Sequence, residues 1–391
     1  MSARSWCLAG AVLAGVGGAA ALGVAGLSLA IARTIVTPPR RRPDDIRILE
    51  VDVDRGEITL EAGPETLVPG RYGLWFSHDQ GYARIGEVLR REPDRVVRRI
   101  LEVEAGELGE ARSGRWSGWL HRSPATLSHA WEAIEIPTPH GPAPAWVVPA
   151  EGDGTRWAVL VHGRAVTRAE TLRAIEPMLA DGRSVLMVSY RNDPDAPASP
   201  DGRYALGLEE WRDVDAALDM LRGLGARDLV LMGWSMGGAT VLQTLARSPH
   251  AELVRGAVLD SPAVDWRTVI DQQIVALRGL PRALSRIVQG VLGSRLASRV
   301  VGLDRPIDLD ALDWVARADE LAVPVLILHS DGDDFVPPSA SRRLAARRPD
   351  LVRYEAFDTA RHTRLWNYDP ERWSGAIRDW LRGLPQSAQR V

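Results

Sequence analysis

The chain has 391 residues, 45% of them hydrophobic and 25% charged, with a formal net charge of −3. It is too apolar for a disordered chain, too long for one small module, and too near neutral for a dedicated nucleic-acid binder. No residue is Lys, which excludes Schiff-base and Ser–Lys mechanisms, and the single Cys, Cys7, excludes internal disulfides and cysteine-cluster metal sites. Chemistry falls to Ser, His, Asp and Glu, and no metal or other cofactor is called for.

From Trp6 to Ala32 no residue is charged and Ser28 is the only hydroxyl. A run of that length can cross the roughly 30 Å hydrocarbon layer as a helix. Ala30-Ile31-Ala32 also fits a signal-peptide cleavage site, but the apolar run far exceeds the usual h-region of about 7–15 residues. The expectation is therefore an uncleaved anchor over residues 1–36, with residues 6–32 in the lipid bilayer. Arg33, Arg40, Arg41 and Arg42 crowd the C-terminal flank while Arg4 stands alone on the other side. The positive-inside tendency then puts the body of the protein in the cytoplasm, whereas a cleaved signal would put it outside. Thr37 to Pro43 reads as a stiff, basic stop-transfer flank.

Residues 37–130 comprise that linker and a small β-rich module. Strands are expected at Ile46–Val53, Ile58–Ala62 and Arg71–Phe76, split by Arg55-Gly56 and Gly63-Pro64. No catalytic pattern occurs there.

From residue 131 the pattern changes. Glu132–Pro137 and Ala143–Val148 suggest a hairpin. Strands at Trp157–Val161, Ser184–Ser189, Asp228–Met232, Val254–Leu259, Val323–Leu328 and Val352–Phe357 then alternate with helical stretches. The helices include Glu170–Leu179, Ala239–Arg247, Ser339–Arg347 and a last one carrying Trp373, Ile377, Trp380 and Leu384. This alternation argues an α/β fold with a parallel sheet covered on both faces. Between about 264 and 320 no strand is expected; two or three amphipathic helices there would form a cap, and Arg278, Arg282 and Arg286 read as its solvated face, with attraction of an anionic substrate or membrane surface as the alternative.

Gly233-Trp234-Ser235-Met236-Gly237 follows an apolar strand and precedes a helix, the setting of a nucleophile elbow. The turn is so tight that its flanking positions tolerate almost no side chain, and it lifts the Ser235 hydroxyl off the sheet edge. A neutral serine needs a base within reach. His362, on a loop past the last expected strand, is placed to supply it, while His162 and His329 read as loop-shaping residues. The base needs an orienting acid. Asp333, in the turn His329-Ser330-Asp331-Gly332-Asp333-Asp334, is preferred over Asp260, which also ends a strand. An oxyanion requires fixed backbone donors: the N–H of Met236 comes with the elbow, and the N–H of Arg164 is the expected second. The Arg164 side chain is read as solvated, with a substrate carboxylate as its alternative partner. Trp234 and Trp366 flank nucleophile and base and are the substrate-binding candidates for an apolar acyl pocket, with core packing as the competing reading.

From about Trp131 to Leu384 the sequence resembles the α/β-hydrolase superfamily. The chain order Ser235, Asp333, His362 matches its nucleophile, acid and histidine, and His162-Gly163 matches its oxyanion loop. The likeness is to bacterial membrane-anchored members near the serine aminopeptidase and dienelactone-hydrolase branches. It implies a hydrolase domain over residues 131–391 with an eight-stranded, mostly parallel sheet and the helical cap. Ser330 and Arg361 depart from the family, which favours glycine after His329 and a small residue before the catalytic histidine. The expected activity is serine hydrolysis of a small-molecule acyl substrate, an ester first and a small amide or peptide second. Acyl transfer by the same triad, or a catalytically silent anchored binding protein, are the alternatives.

Overall fold

The computed structural model describes residues 22–39, 41–276 and 278–384. A helix, α1, occupies residues 22–36. Among the described residues no helix is long and apolar enough to cross a membrane, and most of the expected span, residues 6–21, lies outside them. The described end of that span differs from a free anchor. Ala32 and Val36 are fully buried in the larger hydrophobic core, and Arg33 Nη1 donates to Val301 O at 3.4 Å. The basic flank is docked too: Thr37 Oγ1 accepts from Arg203 Nη1 at 3.0 Å, and Arg42 donates to Ala165 O.

The β-rich module is a closed six-stranded barrel in the order β1-β2-β5-β4-β3-β6. Its strands are β1 (Ile46–Asp52), β2 (Glu57–Glu61), β3 (Tyr72–Phe76), β4 (Gly81–Arg91), β5 (Arg95–Ala105) and β6 (Ser113–Ser117). Ile58, Leu60, Tyr72, Leu74, Phe76, Ile85 and Trp116 fill the interior. Arg98 is buried among them and is held by the carbonyls of Gly86, Thr66, Val68 and Gly70 at 2.7–2.9 Å. Its guanidinium also lies 5.3 Å from the Tyr72 ring and 5.1 Å from that of Trp116. Burial pushes Arg98 down to about 10, and Tyr72 and Glu87 offset the loss of water only in part.

The second sheet has eight strands in the order β14-β13-β12-β11-β9-β10-β8-β7. The hairpin β7 (Glu132–Thr138) and β8 (Gly141–Val148) pairs antiparallel at one edge. β9 (Arg156–Val161), β10 (Ser184–Val188), β11 (Asp228–Trp234), β12 (Val254–Asp260), β13 (Val325–Ser330) and β14 (Val352–Phe357) are parallel to one another. Their continuous apolar runs reflect burial on both faces. One face is covered by α3 (Trp211–Gly223), α4 (Met236–Arg247) and the cap, the other by α2 (Ile175–Leu179) and the C-terminal helix.

The expected helix over 170–179 is only partly α-helical. A tight 3-10 stretch, Arg168–Ala174, precedes α2, and all seven of its side chains are buried. Within the cap, α5 (Trp266–Asp271), α6 (Arg282–Gly293) and the short α7 (Ala297–Val300) appear where helices were expected, with Arg278, Arg282 and Arg286 exposed. Beyond it lie α8 (Ser339–Arg347), α9 (Leu365–Tyr368) and α10 (Pro370–Arg382). Asp369 caps α10 by accepting the Arg372 N–H, and Pro370 fits its first position. Trp373, Ile377 and Trp380 turn inward, each stabilising the domain by roughly 1.5–3 kcal/mol.

Candidate active site

Ser235 sits between β11 and α4 with φ +53° and ψ −115°, a backbone conformation a non-glycine residue rarely adopts. A side chain on Gly233 would collide with the Gly237 carbonyl, and one on Gly237 with the Val161 carbonyl. The two glycines therefore let the elbow press against the sheet while Ser235 carries the strain.

His362 arrives on the loop after β14 and Asp333 on the loop after β13. His362 Nε2 lies 2.9 Å from Ser235 Oγ, and Nδ1 lies 2.7 Å from Asp333 Oδ2. Asp333 Oδ1 accepts the N–H groups of Phe335 and Val336 at 3.0 and 2.9 Å, which fixes the carboxylate plane. Burial alone would raise the Asp333 carboxyl, but the His362 charge and hydrogen bonds from His329 and His362 hold it well below the usual range. Burial likewise pulls His362 down, and the Asp333 carboxylate outweighs it, leaving the imidazole above its ordinary value.

Asp260 is not in this chain of contacts. It accepts from Trp373 Nε1 at 2.8 Å and Ser261 Oγ at 3.0 Å, deep under the sheet, and burial pushes it up. A carboxyl driven toward its neutral form is ill suited to stabilise an imidazolium.

The loop after β9 supplies the other wall. A Cβ on Gly163 would lie 3.3 Å from Ser235 Cβ, so this loop abuts the nucleophile. Gly163 N donates to Glu170 Oε2 at 2.9 Å and Ala165 N to Tyr204 Oη at 3.2 Å. Between them, the Arg164 N–H has no acceptor among the described residues, and neither has Met236 N–H at the first position of α4. These are the two donors expected for an oxyanion, and the α4 N-terminus adds a favourable dipole.

The Arg164 side chain corrects its expectation. It is neither solvated nor free for a substrate: Nε donates to Ile35 O at 2.9 Å and Nη2 to Thr34 O at 2.7 Å, capping the end of α1. Trp234 is corrected as well. It is fully buried on the far side of the elbow, stacked on Trp373 at 6.5 Å, with the Arg173 guanidinium 5.4 Å from its ring. Its role is packing. Trp366, in α9, packs half-buried against the same cluster.

Three supporting residues, Glu170, Arg173 and Asp193, have no part in the sequence reading, and a fourth, His329, enters it only as a loop-shaping residue. Glu170 pins Gly163 and pairs through Oε1 with Arg173 Nη2 at 3.2 Å. Arg173 Nη1 donates to Thr363 O at 2.7 Å, so one buried ion pair ties the oxyanion loop to the His362 loop. Asp193 holds His162 Nε2 at 2.7 Å, and His162 stacks on Tyr190 at 4.3 Å. His329 stands behind Asp333. None carries a motif of its own; their partners are set by tertiary contact. Arg361, the departure beside the histidine, donates to Gly332 O at 3.1 Å and to Pro64 O of the barrel at 3.2 Å.

Residues 158–376, more than half of the chain, match the alpha/beta hydrolase family. The chain belongs to the alpha/beta hydrolase family. This hydrolase also matches a domain of unknown function (DUF8805) over residues 47–117, which is the barrel. A pimeloyl-[acyl-carrier protein] methyl ester esterase of Aromatoleum aromaticum is 29% identical over 263 residues, covering 58% of this chain and 98% of that protein. An uncharacterized protein of Mycobacterium tuberculosis is 25% identical over 237 residues, covering 59% of this chain and 70% of its own. Among solved structures, the Pyrococcus furiosus esterase Pf2001 shares the fold with a TM-score of 0.51 at 18% identity, over 67% of this chain and 95% of that one. Membership makes the protein a hydrolytic enzyme.

Proposed function

We propose that the protein is a serine esterase that cleaves a carboxylic ester through an acyl-enzyme, with Ser235, His362 and Asp333 as its triad. The observation that carries this reading is the unbroken hydrogen-bond chain Ser235 Oγ–His362–Asp333 at 2.9 and 2.7 Å. The methyl ester esterase among its relatives favours an ester over an amide.

In this mechanism Ser235 Oγ attacks the acyl carbon while His362 Nε2 takes its proton. The carbonyl electrons move onto oxygen, and the Met236 and Arg164 N–H groups stabilise that charge. Asp333 holds Nδ1 and favours the imidazolium. His362 then protonates the departing alkoxide as the C–O bond breaks, leaving the acyl group on Ser235. Water, deprotonated by His362, attacks the acyl-enzyme; the carboxylic acid leaves and Ser235 regains its proton.

The test is covalent labelling with a fluorophosphonate probe and turnover of aryl esters, comparing wild type with Ser235→Ala. Labelling and turnover lost together in the variant support the reading; labelling retained in Ser235→Ala overturns it.

We also propose, from the uncharged run Trp6–Ala32, that the enzyme is held at a membrane with its hydrolase domain on the cytoplasmic side. Flotation of the full chain with vesicles, followed by protease protection, checks both parts.

A further inference from the structure

A cavity of about 1040 Å³ lies where the N-terminal segment, the barrel and the oxyanion loop meet. Arg33, Arg42, Arg115 and Arg203 line it together with Trp75 and Trp119, and Ala165 to Thr167 bring it directly against the Arg164 turn. Its cations outnumber its anions. Of the two lining carboxylates, Asp79 is paired with Arg115 and Asp193 with His162. Arg33, Arg42 and Arg203 have no carboxylate oxygen within 4.0 Å among the described residues. Asp201, the nearest acid in sequence to Arg203, is engaged by Ser199 Oγ and the Arg203 and Asp304 N–H groups.

Two guanidinium nitrogens are also unsatisfied. Arg115 Nε and Arg203 Nε are buried without an acceptor. Burial and then Arg115 hold Arg42 below its ordinary value, and burial and then Arg33 do the same for Arg203. Clustered, partly desolvated arginines of one sign are costly unless a counter-charge completes them. Guanidinium forks suit the planar oxygens of a carboxylate or the oxygens of a phosphate, and water-shielded pairs of this kind are the strong ones.

We infer that this cavity binds an anionic group, carboxylate or phosphate, carried by the ester that Ser235 cleaves. The inference rests on the esterase reading for its substrate and adds the substrate's class. The determinants come largely from α1, its flank and barrel strand β6, outside the residues that match the hydrolase family. The barrel thereby acquires a role in specificity: Arg115 brings charge, and Trp75, stacked edge-on to Trp119 at 6.0 Å, walls the cavity. The nearness of Arg42 to Ala165 O couples occupancy of the cavity to the loop that carries the Arg164 N–H.

The experiment compares kcat/KM for p-nitrophenyl glutarate, a p-nitrophenyl ester with a phosphate-terminated acyl chain, and neutral p-nitrophenyl valerate. At least one charged ester is expected to be preferred about tenfold or more. Its advantage should shrink as salt is raised, and fall about tenfold in Arg115→Gln/Arg203→Gln. The better of the two charged esters identifies the anion. The salt series on wild type keeps the test decisive should the double variant not fold. Equal rates on charged and neutral esters by an enzyme that fluorophosphonate labels at Ser235 overturn this inference and leave the esterase reading standing. Absence of labelling overturns the esterase reading instead. Titration of Ser235→Ala with glutarate and with inorganic phosphate then decides the cavity: saturable, salt-sensitive binding supports it and no binding refutes it.

Discussion

His329 Nε2 lies 3.2 Å from Asp333 Oδ2, the same oxygen that His362 Nδ1 meets at 2.7 Å. His329 Nε2 is also 3.0 Å from Val336 O, and its Nδ1 is 2.9 Å from Ser341 Oγ. A neutral ring protonated at Nε2 satisfies all of these: it donates to Val336 O and Asp333 and accepts from the Ser341 hydroxyl. His329 therefore braces the acid.

Replacing His329 with Leu removes that brace and strands the Ser341 hydroxyl. kcat on a p-nitrophenyl ester should fall about tenfold with little change in KM. Urea unfolding should show a loss of about 1–3 kcal/mol. An unaltered kcat would mean the brace does not matter to the acid.

The raised basicity of His362 sets a pH dependence. The base must be neutral, so kcat/KM should fall as pH drops through a midpoint above 6.5, the ordinary imidazole value. Asp333→Asn removes the charge that outweighs burial, so the midpoint should move down while kcat falls by about four orders of magnitude. Asp260→Asn removes a charge that raises the imidazole less than Asp333 does and makes no hydrogen bond to it, so the midpoint should move down by less than in Asp333→Asn. A pH–rate series on the three proteins distinguishes these outcomes.

Glu170→Ala frees the Gly163 N–H and leaves Arg173 buried without its carboxylate. Breaking a buried pair from one side costs about 3–5 kcal/mol, read as a lower denaturant midpoint. Because the pair joins both loops, kcat should fall at least tenfold. Should the variant lose stability yet keep kcat, Glu170 would be a folding residue alone.

Arg98→Met in the barrel leaves the carbonyls of Gly86, Thr66, Val68 and Gly70 without their donor. A loss of about 3 kcal/mol or more is expected. Arg98→Lys should not rescue it, since a point charge cannot reproduce the planar fork. Chemical unfolding followed by barrel tryptophan fluorescence checks both.

The chemistry was more legible than its supports. Gly233 to Gly237 is a local pattern whose geometry follows from sterics, and the acid and base stand at strand ends that periodicity reveals. Asp333 over Asp260 was a matter of spacing. The long hairpin β4–β5 was not legible. Its outward residues form charged ladders such as Arg84–Glu102 at 3.3 Å and Arg90–Glu57 at 2.7 Å, while Arg98 points inward. Register shifts along β4 break the two-residue period further. The helix expected over Glu170–Leu179 is 3-10 as far as Ala174, although its sequence has helical composition. Its backbone instead serves the contacts of Glu170 and Arg173. Trp234 was misread because adjacency in sequence to Ser235 places it on the opposite side of the strand end.

Asn367 joins the barrel to the hydrolase domain: its backbone carbonyl accepts Arg71 N at 3.1 Å, and its side chain donates to Arg71 O and Gly118 O at 2.7 and 3.0 Å. The same Asn367 receives Arg173, whose other contact steadies the turn beside the base. A barrel excised as a neighbour of no consequence would thus pull on the imidazole's own footing. The two sequence families that meet in this chain share this seam, and divergence on one side of it should be matched by compensating change on the other.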